Sequence, residues 1–540
     1  MSSFIHPLIA ILTREVVVTK YLLKRLLHGL ISVVIVVAIV MILIYSLMSR
    51  EVIFARDSVF TKRSNNDRVI YKYTQWEKFG YLDYVSYSEY LQQLKRDGEI
   101  DEDTRAEAVV ISKSADKDPE IVKEYVEKFT EYYESKGYEV VRLDPVMLTK
   151  TRLDTGGKQQ LFAYKDYPVI RRLWTYFTGI FRVDNIHYVE DDIEDRGLTF
   201  TLHDPIYGGD KFSPAIIGNG TKHKYLLYFD NQFPYIHQNL LTVNLGLSYS
   251  VNTGVDVFDT MTQSQGKYVT STITYPTGLT EDAAYDLHSA TYASGTRDSS
   301  PLFSDRYVDD YTNVSLHCAN MSKMGYSFVI GIIAVVISYL LAMPLGILMA
   351  RKKDKLVDKI GTIYIVFILA VPSLAYIFMF KALGGLAGLP TTFQMDGETW
   401  LMYILPIVSL ALPSLANLMK WLRRYMIDQM NSDYVKFARS GGLSEGEIFS
   451  KHILKNAAIP IVHGIPASVL GALTGAIITE RVYLVPGAGN LLTTAINNYD
   501  NGVIVGLTLF YATLSIISII LGDILMAMVD PRISFSTKAR

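Results

Sequence analysis

The chain has 540 residues, of which 49% are hydrophobic and 20% charged, and its formal net charge at pH 7 is −2. This near-neutral charge gives no sign of a nucleic-acid partner, so none is predicted. The sequence has a single cysteine, Cys318, which excludes a disulfide framework within the chain. Any large domain must therefore be stabilised by its hydrophobic core.

Six segments are apolar for long enough to cross the hydrocarbon core of a membrane, which takes about 20 helical residues. Several contain prolines, which membrane helices tolerate when neighbouring groups satisfy the freed carbonyls. The pattern predicts six transmembrane helices in an all-α polytopic membrane protein. The segments are residues 26–48, 324–350, 360–380, 400–418, 459–478 and 503–529.

Lys and Arg are distributed unevenly around these segments. They are frequent in the N-terminal arm, residues 1–25, and in the loops after the second and fourth segments. By contrast, the loop after the third segment has only Lys381 and the loop after the fifth has only Arg481. Because basic residues are retained in the cytoplasm, both termini are predicted to be cytoplasmic. The first segment exceeds a normal signal-peptide core, so it is predicted to remain as a helix.

The first two segments are separated by residues 51–320, called here the inserted domain, which this topology places outside the cell. The inserted domain carries 29 basic and 41 acidic residues, a net charge of −12, whereas the rest of the chain carries +10. It also contains 25 of the 37 tyrosines. Because this composition can build a hydrophobic core, we expect a folded extracellular domain and not a linker.

Local patterns within the inserted domain are mixed. Apolar residues recur at helical spacing over residues 119–136, and residues 138–143, 198–202 and 225–229 are typical of short strands. Turn signals stand at residues 154–157, 207–210 and 218–220. The inserted domain is therefore predicted to be α+β. An acidic run at residues 190–195 lacks the spacing of a calcium loop, so no metal site is predicted.

Several motifs of catalysis are missing from the sequence. It contains no G-x-x-x-x-G-K-[ST] phosphate loop, no H-E-x-x-H zinc helix and no G-x-S-x-G nucleophile elbow. We therefore predict no catalytic residue, no bound cofactor and no enzyme activity for this chain. Apart from Glu480 and Asp523, the apolar segments also lack the charged residues typical of ion-coupled carriers. Energy for any transport would have to come from another protein.

The basic loop between the fourth and fifth segments contains DYVKFARSGGLSEGEIFSKHILKNAAIP, residues 433–460. This stretch resembles the EAA loop of permease subunits of ATP-binding-cassette (ABC) importers, in the variant of the oligopeptide and dipeptide family. Lys436 and Phe437 replace the Glu and first Ala of the general motif. Residues 471–496 and 522–535 are similar to two further motifs of that family, although Met526 replaces a usual Tyr. KYLLKRLL, residues 20–27, also resembles the family's N-terminal start.

The resemblance implies the type I ABC importer permease fold, with the large insert found in Gram-positive peptide permeases. It also implies that the loop docks on an ATP-binding subunit, where Ala438, Ser440, Gly441 and Gly442 supply small residues. The chain then divides into an arm 1–25, a first helix 26–50, the inserted domain 51–320, a core 321–530 with coupling loop 420–458, and a tail 531–540. The predicted coupling residues are Asp433, Tyr434, Ala438, Arg439, Gly441, Gly442, Leu443, Ser444, Glu445, His452, Leu454 and Asn456.

In the same family the block around Glu480 lies at the outer end of the translocation path. Glu480 and Arg481 are expected either to form a paired gate element or to end a helix that contacts another subunit. Pro486, Gly487 and Gly489 would allow a non-helical turn there, which is acceptable only against protein or water. These five residues are the predicted outer gate.

The partners implied by the resemblance are a second, homologous permease, two ATP-binding subunits that carry ATP and Mg²⁺, an extracellular lipid-anchored peptide-binding protein, an oligopeptide substrate and membrane lipid. The location implied is the bacterial cell membrane. Two other hypotheses stay open at this point. One is a membrane-anchored peptide receptor that signals through the basic loop. The other is a membrane enzyme acting on cell-wall peptides, which the missing motifs disfavour.

Overall fold

The fold of the chain is that of a computed structural model. The structure describes residues 2–63, 65–112, 114–144, 146–147, 153–154, 160–183, 197–202, 215–219, 225–228, 238–239, 241–250, 254–274, 280–288, 313–316 and 318–529. Side chains of residues 2–21 and of many strand residues between 146 and 316 are outside this description. The acidic run 190–195, the turn at 207–210 and the tail 531–540 lie outside the described residues, as does most of the turn at 154–157.

The membrane part consists of long apolar helices. Five described helices are long and apolar enough to span a membrane, and the count reaches six if one bent pair is taken as a single span. The predicted helical core is confirmed, with this pair as its irregular member. The helices are α1 Ser2–Leu47, α9 Lys323–Arg351, α10 Leu356–Ala370, α11 Ser373–Leu386, α12 Leu401–Met430, α13 Asp433–Ser440, α14 Glu445–Glu447, a π-helix Ile448–Leu454, α15 Lys455–His463, α16 Ile465–Tyr483, α17 Ala488–Asn497 and α18 Asn501–Val529.

The third predicted segment, residues 360–380, is not one straight helix. Helices α10 and α11 meet at 110° across Val371 and Pro372. Proline has no N–H to donate and forces the preceding residue out of the helical region, and Val371 accordingly has ψ of 132°. The expectation of a continuous span here was wrong because Pro372 ends one helix and begins the next.

Two other segments end beyond their predicted limits. Helix α12 contains Pro406 and Pro413 without a break and continues 12 residues past residue 418, so the first part of the predicted loop 420–458 is helical. Its polar end is tied to α10, because Arg423 donates to Asp358 from Nη2 at 2.7 Å. The fifth segment, predicted at 459–478, is divided at Gly464 and reaches Tyr483.

The inserted domain combines helices with small sheets, as predicted. Strands β1 (Leu82–Ser86), β5 (Leu161–Asp166) and β2 (Glu139–Arg142) form one antiparallel sheet in that order. A second, mixed sheet has the order β10 (Gln238–Asn239), β9 (Tyr225–Tyr228), β8 (Ala215–Asn219) and β7 (Gly197–Thr201), in which β10 runs parallel to β9 and the other neighbours are antiparallel. The helices here are α2 Ser58–Lys62, α3 Asn65–Lys78, α4 Tyr87–Arg96, α5 Glu102–Ala108, α6 Glu120–Ser135, α7 Val169–Gly179 and α8 Val257–Thr262, with short 3₁₀ turns at Arg50–Phe54 and Ala115–Lys117.

The strands of the inserted domain are short. They are β1 Leu82–Ser86, β2 Glu139–Arg142, β3 Val146–Met147, β4 Leu153–Asp154, β5 Leu161–Asp166, β6 Phe181–Val183, β7 Gly197–Thr201, β8 Ala215–Asn219, β9 Tyr225–Tyr228, β10 Gln238–Asn239, β11 Leu241–Val243, β12 Gln265–Tyr268, β13 Ser271–Thr274, β14 Thr280–Ala283, β15 Tyr285–His288, β16 Asn313–Leu316 and β17 Cys318–Asn320. The predicted helix at 119–136 and the three predicted strands are present. The predicted turn at 218–220 is wrong in part, because Gly218 and Asn219 belong to β8, where they pair with β7.

Residues 244–250 of the inserted domain pack directly on α18. A Cβ added at Gly502 would lie 1.8 Å from the carbonyl oxygen of Leu247, and one added at Gly506 would lie 2.7 Å from Cγ1 of Val257. The two glycines are one helical turn apart and on the same face of α18, which lets the backbone of the inserted domain approach closely. The inserted domain and the membrane helices therefore share one packed interface.

Candidate functional site

The predicted coupling segment is a short helix, a tight turn and a second helical stretch. Helix α13 ends at Ser440, and Gly442 has φ of +83°, the left-handed conformation that favours glycine. Across this turn the N–H of Leu443 donates to the carbonyl of Ala438 at 3.3 Å and the N–H of Gly442 donates to that of Arg439 at 3.1 Å. This is the Schellman pattern of helix termination.

The second helical stretch begins with a capping box. Ser444 Oγ accepts a hydrogen bond from the backbone N–H of Glu447, and the Glu447 carboxylate accepts one from the backbone N–H of Ser444, each at 3.3 Å. Gly442 ends the first helix, and Ser444, two residues later, caps the start of the second. These two signals together fix the direction of both helical stretches. The turn between them is therefore rigidly defined by local sequence.

The inner face of the coupling segment is buried against the membrane helices. Val435 and Ile448 have no exposed surface, and both belong to a cluster with Leu422 and Met426 of α12 and Ala350 of α9. Burial of such side chains stabilises by about 1.5–3 kcal/mol each. A displacement of the coupling segment would therefore be transmitted to the helices beneath it and not be absorbed by a flexible loop.

The structure separates the predicted coupling residues by exposure. Ala438 is buried in the same cluster, so it faces this chain's own core and not a partner. Phe437, by contrast, is 79% exposed beside the turn. The exposed members are Asp433, Arg439, Gly441, Gly442, Ser444 and Glu445, and the half-buried members are Tyr434, Leu443, His452, Leu454 and Asn456.

Charged groups on the exposed face pair within the segment. Arg439 Nη2 donates to Glu445 Oε2 at 3.1 Å, which links α13 to α14 across the turn. The guanidinium of Arg439 also holds the pKa of Glu445 below its ordinary value. Lys436 pairs with Asp433 at 2.9 Å. Exposed pairs of this kind are screened by solvent and contribute little to stability, so a partner surface can compete for these charges.

The predicted outer gate centres on Glu480, near the end of α16, which is 1% exposed. Its carboxylate accepts hydrogen bonds from Ser327 Oγ at 2.5 Å and from the backbone N–H of Asn490 at 3.0 Å. Asn490 is the third residue of α17, whose N-cap is Gly487, a residue with no side chain to accept from the helix N-terminus. Glu480 therefore caps α17 from the neighbouring helix.

Ser327 of α9 connects the same group to a third helix. Its hydroxyl donates to Glu480 and accepts from the backbone N–H of Ala488 at 2.8 Å. Helices α9, α16 and α17 thus meet at one buried hydrogen-bonded centre. Networks of this kind are strong when fully satisfied, because the low local dielectric strengthens each bond.

Arg481 does not take part in this centre. It is exposed and donates from Nη1 to Asn490 Oδ1 at 3.2 Å, while Glu480 points into the protein. The expected Glu480–Arg481 pair is therefore absent from the described contacts of these two residues. Side chains of adjacent residues on a helix point about 100° apart. When the side chain of Glu480 is directed into the protein, that of Arg481 is therefore directed to the surface.

Gly487 and Gly489 allow the turn to approach α16. A Cβ at Gly487 would lie 2.4 Å from the carboxylate of Glu480, and one at Gly489 would lie 2.6 Å from Cα of Ile477. Both distances are too short for any side chain. The structure brings four of the predicted gate residues together, since Pro486 precedes the same turn and its carbonyl accepts from Gln265 Nε2 at 3.3 Å.

We expect Gly487→Ala to displace Glu480 from α17 and to lower the free energy of unfolding by about 2 kcal/mol, because the added methyl group overpacks the turn. Gly471→Ala in the same helix α16 is the matched control, because a Cβ there meets nothing within 4 Å. Thermal unfolding of the two purified variants measures the effect. Equal behaviour of the two variants would contradict this account of the turn.

Sequence reasoning missed Ser327, Gln265 and Asp500. Asp500 is fully buried at the start of α18 and accepts hydrogen bonds from Ser248 Oγ at 2.7 Å and from the backbone N–H groups of Tyr249 and Ser250 at 2.9 and 3.0 Å. An aspartate directly before an apolar run is a helix N-cap signal that would have drawn attention to Asp500. No sequence pattern connects Gln265 with Pro486.

Among the described residues no group of three or more His, Cys, Asp or Glu side chains is placed to hold a metal ion. The two predicted sites lie at opposite ends of the helical core: one follows α12 and the other joins α16 to α18. The turn at Gly442 is exposed and lies on a buried hydrophobic cluster at one end of the core. The turn at Gly487 is closely packed at the other end, and Glu480 caps the helix that follows it.

The chain is similar to known proteins over most of its length. Residues 342–535 match the family model described as "Binding-protein-dependent transport system inner membrane component". The chain is 34% identical over 527 residues to an oligopeptide transport system permease protein, AmiC, of Streptococcus pneumoniae serotype 4, with 96% of this chain and 99% of that protein covered.

A shorter relative covers only part of the chain. A dipeptide transport system permease protein, DppB, of Lactococcus lactis subsp. cremoris is 32% identical over 224 residues, which is 41% of this chain and 73% of that protein. A solved amino acid ABC transporter superposes with a TM-score of 0.31 at 17% identity, over 39% of this chain and 92% of that chain. Because the alignment with AmiC covers 96% of this chain, it includes the inserted domain. The alignment with DppB, over 224 residues, is too short to include all of that domain.

Proposed function

The chain belongs to the family of binding-protein-dependent oligopeptide and dipeptide permeases, as its motifs predicted, and from that premise we propose that it forms half of the pathway of an ATP-driven oligopeptide importer. The observation that carries the proposal is the coupling segment, an exposed glycine turn backed by a buried cluster that continues into α9 and α12. The chain is a transport subunit, and ATP hydrolysis with Mg²⁺ takes place on two separate ATP-binding subunits.

The proposed orientation places both termini in the cytoplasm of a bacterial cell and the inserted domain outside. The distribution of Lys and Arg supports it. A second support is the ion pair of Arg25 in α1 with Asp523 in α18 at 2.8 Å, which sets the inner end of the first helix beside the inner end of the last. The coupling loop then faces the cytoplasm, and the outer gate lies on the same side as the inserted domain.

The mechanism follows from having two turns on one helical core. ATP binding closes the two ATPase subunits and moves the coupling segment, and the cavity shared with a second, homologous permease turns from inward-facing to outward-facing. An extracellular lipid-anchored binding protein delivers the oligopeptide on the outer side. Both events bias the same two-state element, which is what coupling between distant sites requires.

The gate turn is suited to move as part of that element. Glu480 holds α17 to α16. The inserted domain contacts the same turn through Gln265, and its Tyr249 N–H donates to Asp500 at the start of α18. Contact of the binding protein with the inserted domain would therefore act on the gate through bonded groups. The inserted domain is proposed as the receiving surface for that protein.

Affinity purification of a C-terminally tagged chain from gently solubilised membranes tests the assignment. We expect a second permease and two ATP-binding subunits to co-purify, as identified by mass spectrometry. A Gly442→Glu chain should retain the second permease and lose the ATP-binding subunits. A chain that purifies alone in both forms would favour the receptor hypothesis, in which the inserted domain senses peptide and no ATPase is needed.

A further inference from the structure

Helix α7 of the inserted domain exposes large apolar side chains. Ile170 is 79% exposed and Trp174 is 72% exposed, and Phe181, which follows the helix, is 63% exposed. The opposite face of α7 packs through Leu173, Tyr176 and Ile180 against the cluster formed by α1 and α18. The exposed residues are therefore held in place by a well-packed helix and do not lie on a loose segment.

Helix α7 runs alongside α1 from its outer end towards its middle. At the start of α7, the guanidinium carbon of Arg172 lies 3.5 Å from the ring centroid of Tyr45, two residues before α1 ends. At its other end, Phe177 and Ile180 share a crevice with Leu30 and Val34 of α1. Residues 34 and 45 are separated by about 17 Å along a helix. This apolar helix thus extends beside a membrane span well below its outer end.

The crevice between α1, α7 and α18 has a volume of about 360 Å³. Its only polar lining side chain among the described residues is Thr513, whose hydroxyl donates to the carbonyl of Leu509 at 2.8 Å and so needs no further partner. An extended polypeptide in this space would leave backbone N–H and C=O groups without partners, whereas a hydrocarbon chain has none to satisfy. The crevice is also continuous with the exposed apolar face of α1, which includes Leu26, Leu30 and Val34.

Cationic groups stand at the outer end of α7. The guanidinium carbon of Arg171 lies 3.8 Å from the ring centroid of Tyr167, and that of Arg172 lies over Tyr45 and Tyr81. Arg171 is exposed, whereas Nη2 of Arg172 is buried, so Arg171 is the cation that a lipid headgroup can reach. Cations at one end of an apolar surface match the phosphate and the acyl chains of a phospholipid, and tryptophan is enriched at the level between them.

We propose that α7 is immersed in the lipid leaflet on the side of the inserted domain, and that the crevice holds an acyl chain of a phospholipid whose phosphate meets Arg171. The identity of this leaflet rests on the orientation given in the proposed function. The contact of α7 with lipid does not depend on that orientation. The inserted domain is then bound to the bilayer as well as to the helical core. Its position over the gate is fixed on two sides.

Tryptophan fluorescence in nanodiscs with brominated phospholipid tests the proposal, because bromine on an acyl chain quenches an indole in contact with it. The intact transporter complex is compared with its Trp174→Phe variant, and the difference reports Trp174. We expect quenching of about twofold or more for Trp174, as suits an indole at the interface. Trp76, which is 2% exposed in the inserted domain, serves as the unquenched control.

A second variant reports the crevice itself. Phe177→Trp in the Trp174→Phe background places an indole on the crevice wall, and we expect brominated phospholipid to quench it and aqueous iodide to leave it unchanged. Quenching of either indole by iodide alone would overturn the proposal. Protection from both quenchers would also overturn it, since another polypeptide would then cover the surface. Neither measurement needs ATP or peptide, so a failure of the transport assignment leaves the result interpretable.

Discussion

Gly442→Glu is expected to leave the chain in the membrane and to abolish peptide uptake. Gly442 has φ of +83° at an exposed turn, where most other residues add strain of about 1–2 kcal/mol. A Cβ there would meet nothing within 4 Å, so the turn itself has room for a side chain. The main effect is therefore on the proposed docking surface, where a long charged side chain would hold the ATP-binding subunit away. Membrane content and accumulation of labelled peptide are the two measurements.

Two control variants separate docking from folding. Gly446→Glu adds the same side chain four residues away, at an exposed position with ordinary φ and no neighbour within 4 Å of its Cβ. It lies in the first turn of α14, where a carboxylate is favourable, so uptake should stay near wild type. Gly442→Asn tests strain, because asparagine tolerates this conformation, and should retain much of the activity. Normal peptide accumulation with Gly442→Glu would contradict the proposal that this turn couples ATP hydrolysis to transport.

Asp500→Ala is expected to lower stability by about 3 kcal/mol, because it removes a charged acceptor from several buried donors at once. The N–H groups of Tyr249 and Ser250 would be left without their acceptor, and α18 would lose the carboxylate that accepts from Val503 N–H at 3.2 Å. The inserted domain should then separate from the gate. Thermal unfolding and limited proteolysis of the inserted domain measure these effects.

Asp396→Ala is the matched control for this exchange. Asp396 also lies where the inserted domain meets the core and pairs with Lys267 at 3.3 Å, but both side chains are more than three-quarters exposed. An exposed pair contributes at most about 1 kcal/mol, so this variant should unfold close to wild type. A transition for Asp500→Ala no lower than that of Asp396→Ala would show that Asp500 does not hold the two parts together.

Much of the coupling segment was predictable because its structure is local. The glycine pair that ends α13, the Ser444–Glu447 capping box and the apolar inner face can all be read within 16 residues of sequence. The positions of the long helices were equally accessible, since a membrane-spanning helix must satisfy all its backbone groups within one apolar segment. The sequence also indicated that residues 51–320 fold as a domain with helices and sheets.

The gate and the seating of the inserted domain depended on contacts between residues far apart in the chain. Glu480 bonds to Ser327 across 153 positions, and Asp500 bonds to Tyr249 across 251, so no periodic pattern marks either pair. The direction of Glu480 away from Arg481, the burial of Ala438 and the bend at Pro372 were decided by packing between helices. Sequence alone determined which segments are helical and which turn is exposed. Tertiary structure decided which polar groups share a buried site, because a buried carboxylate is stable only where donors from other elements converge on it.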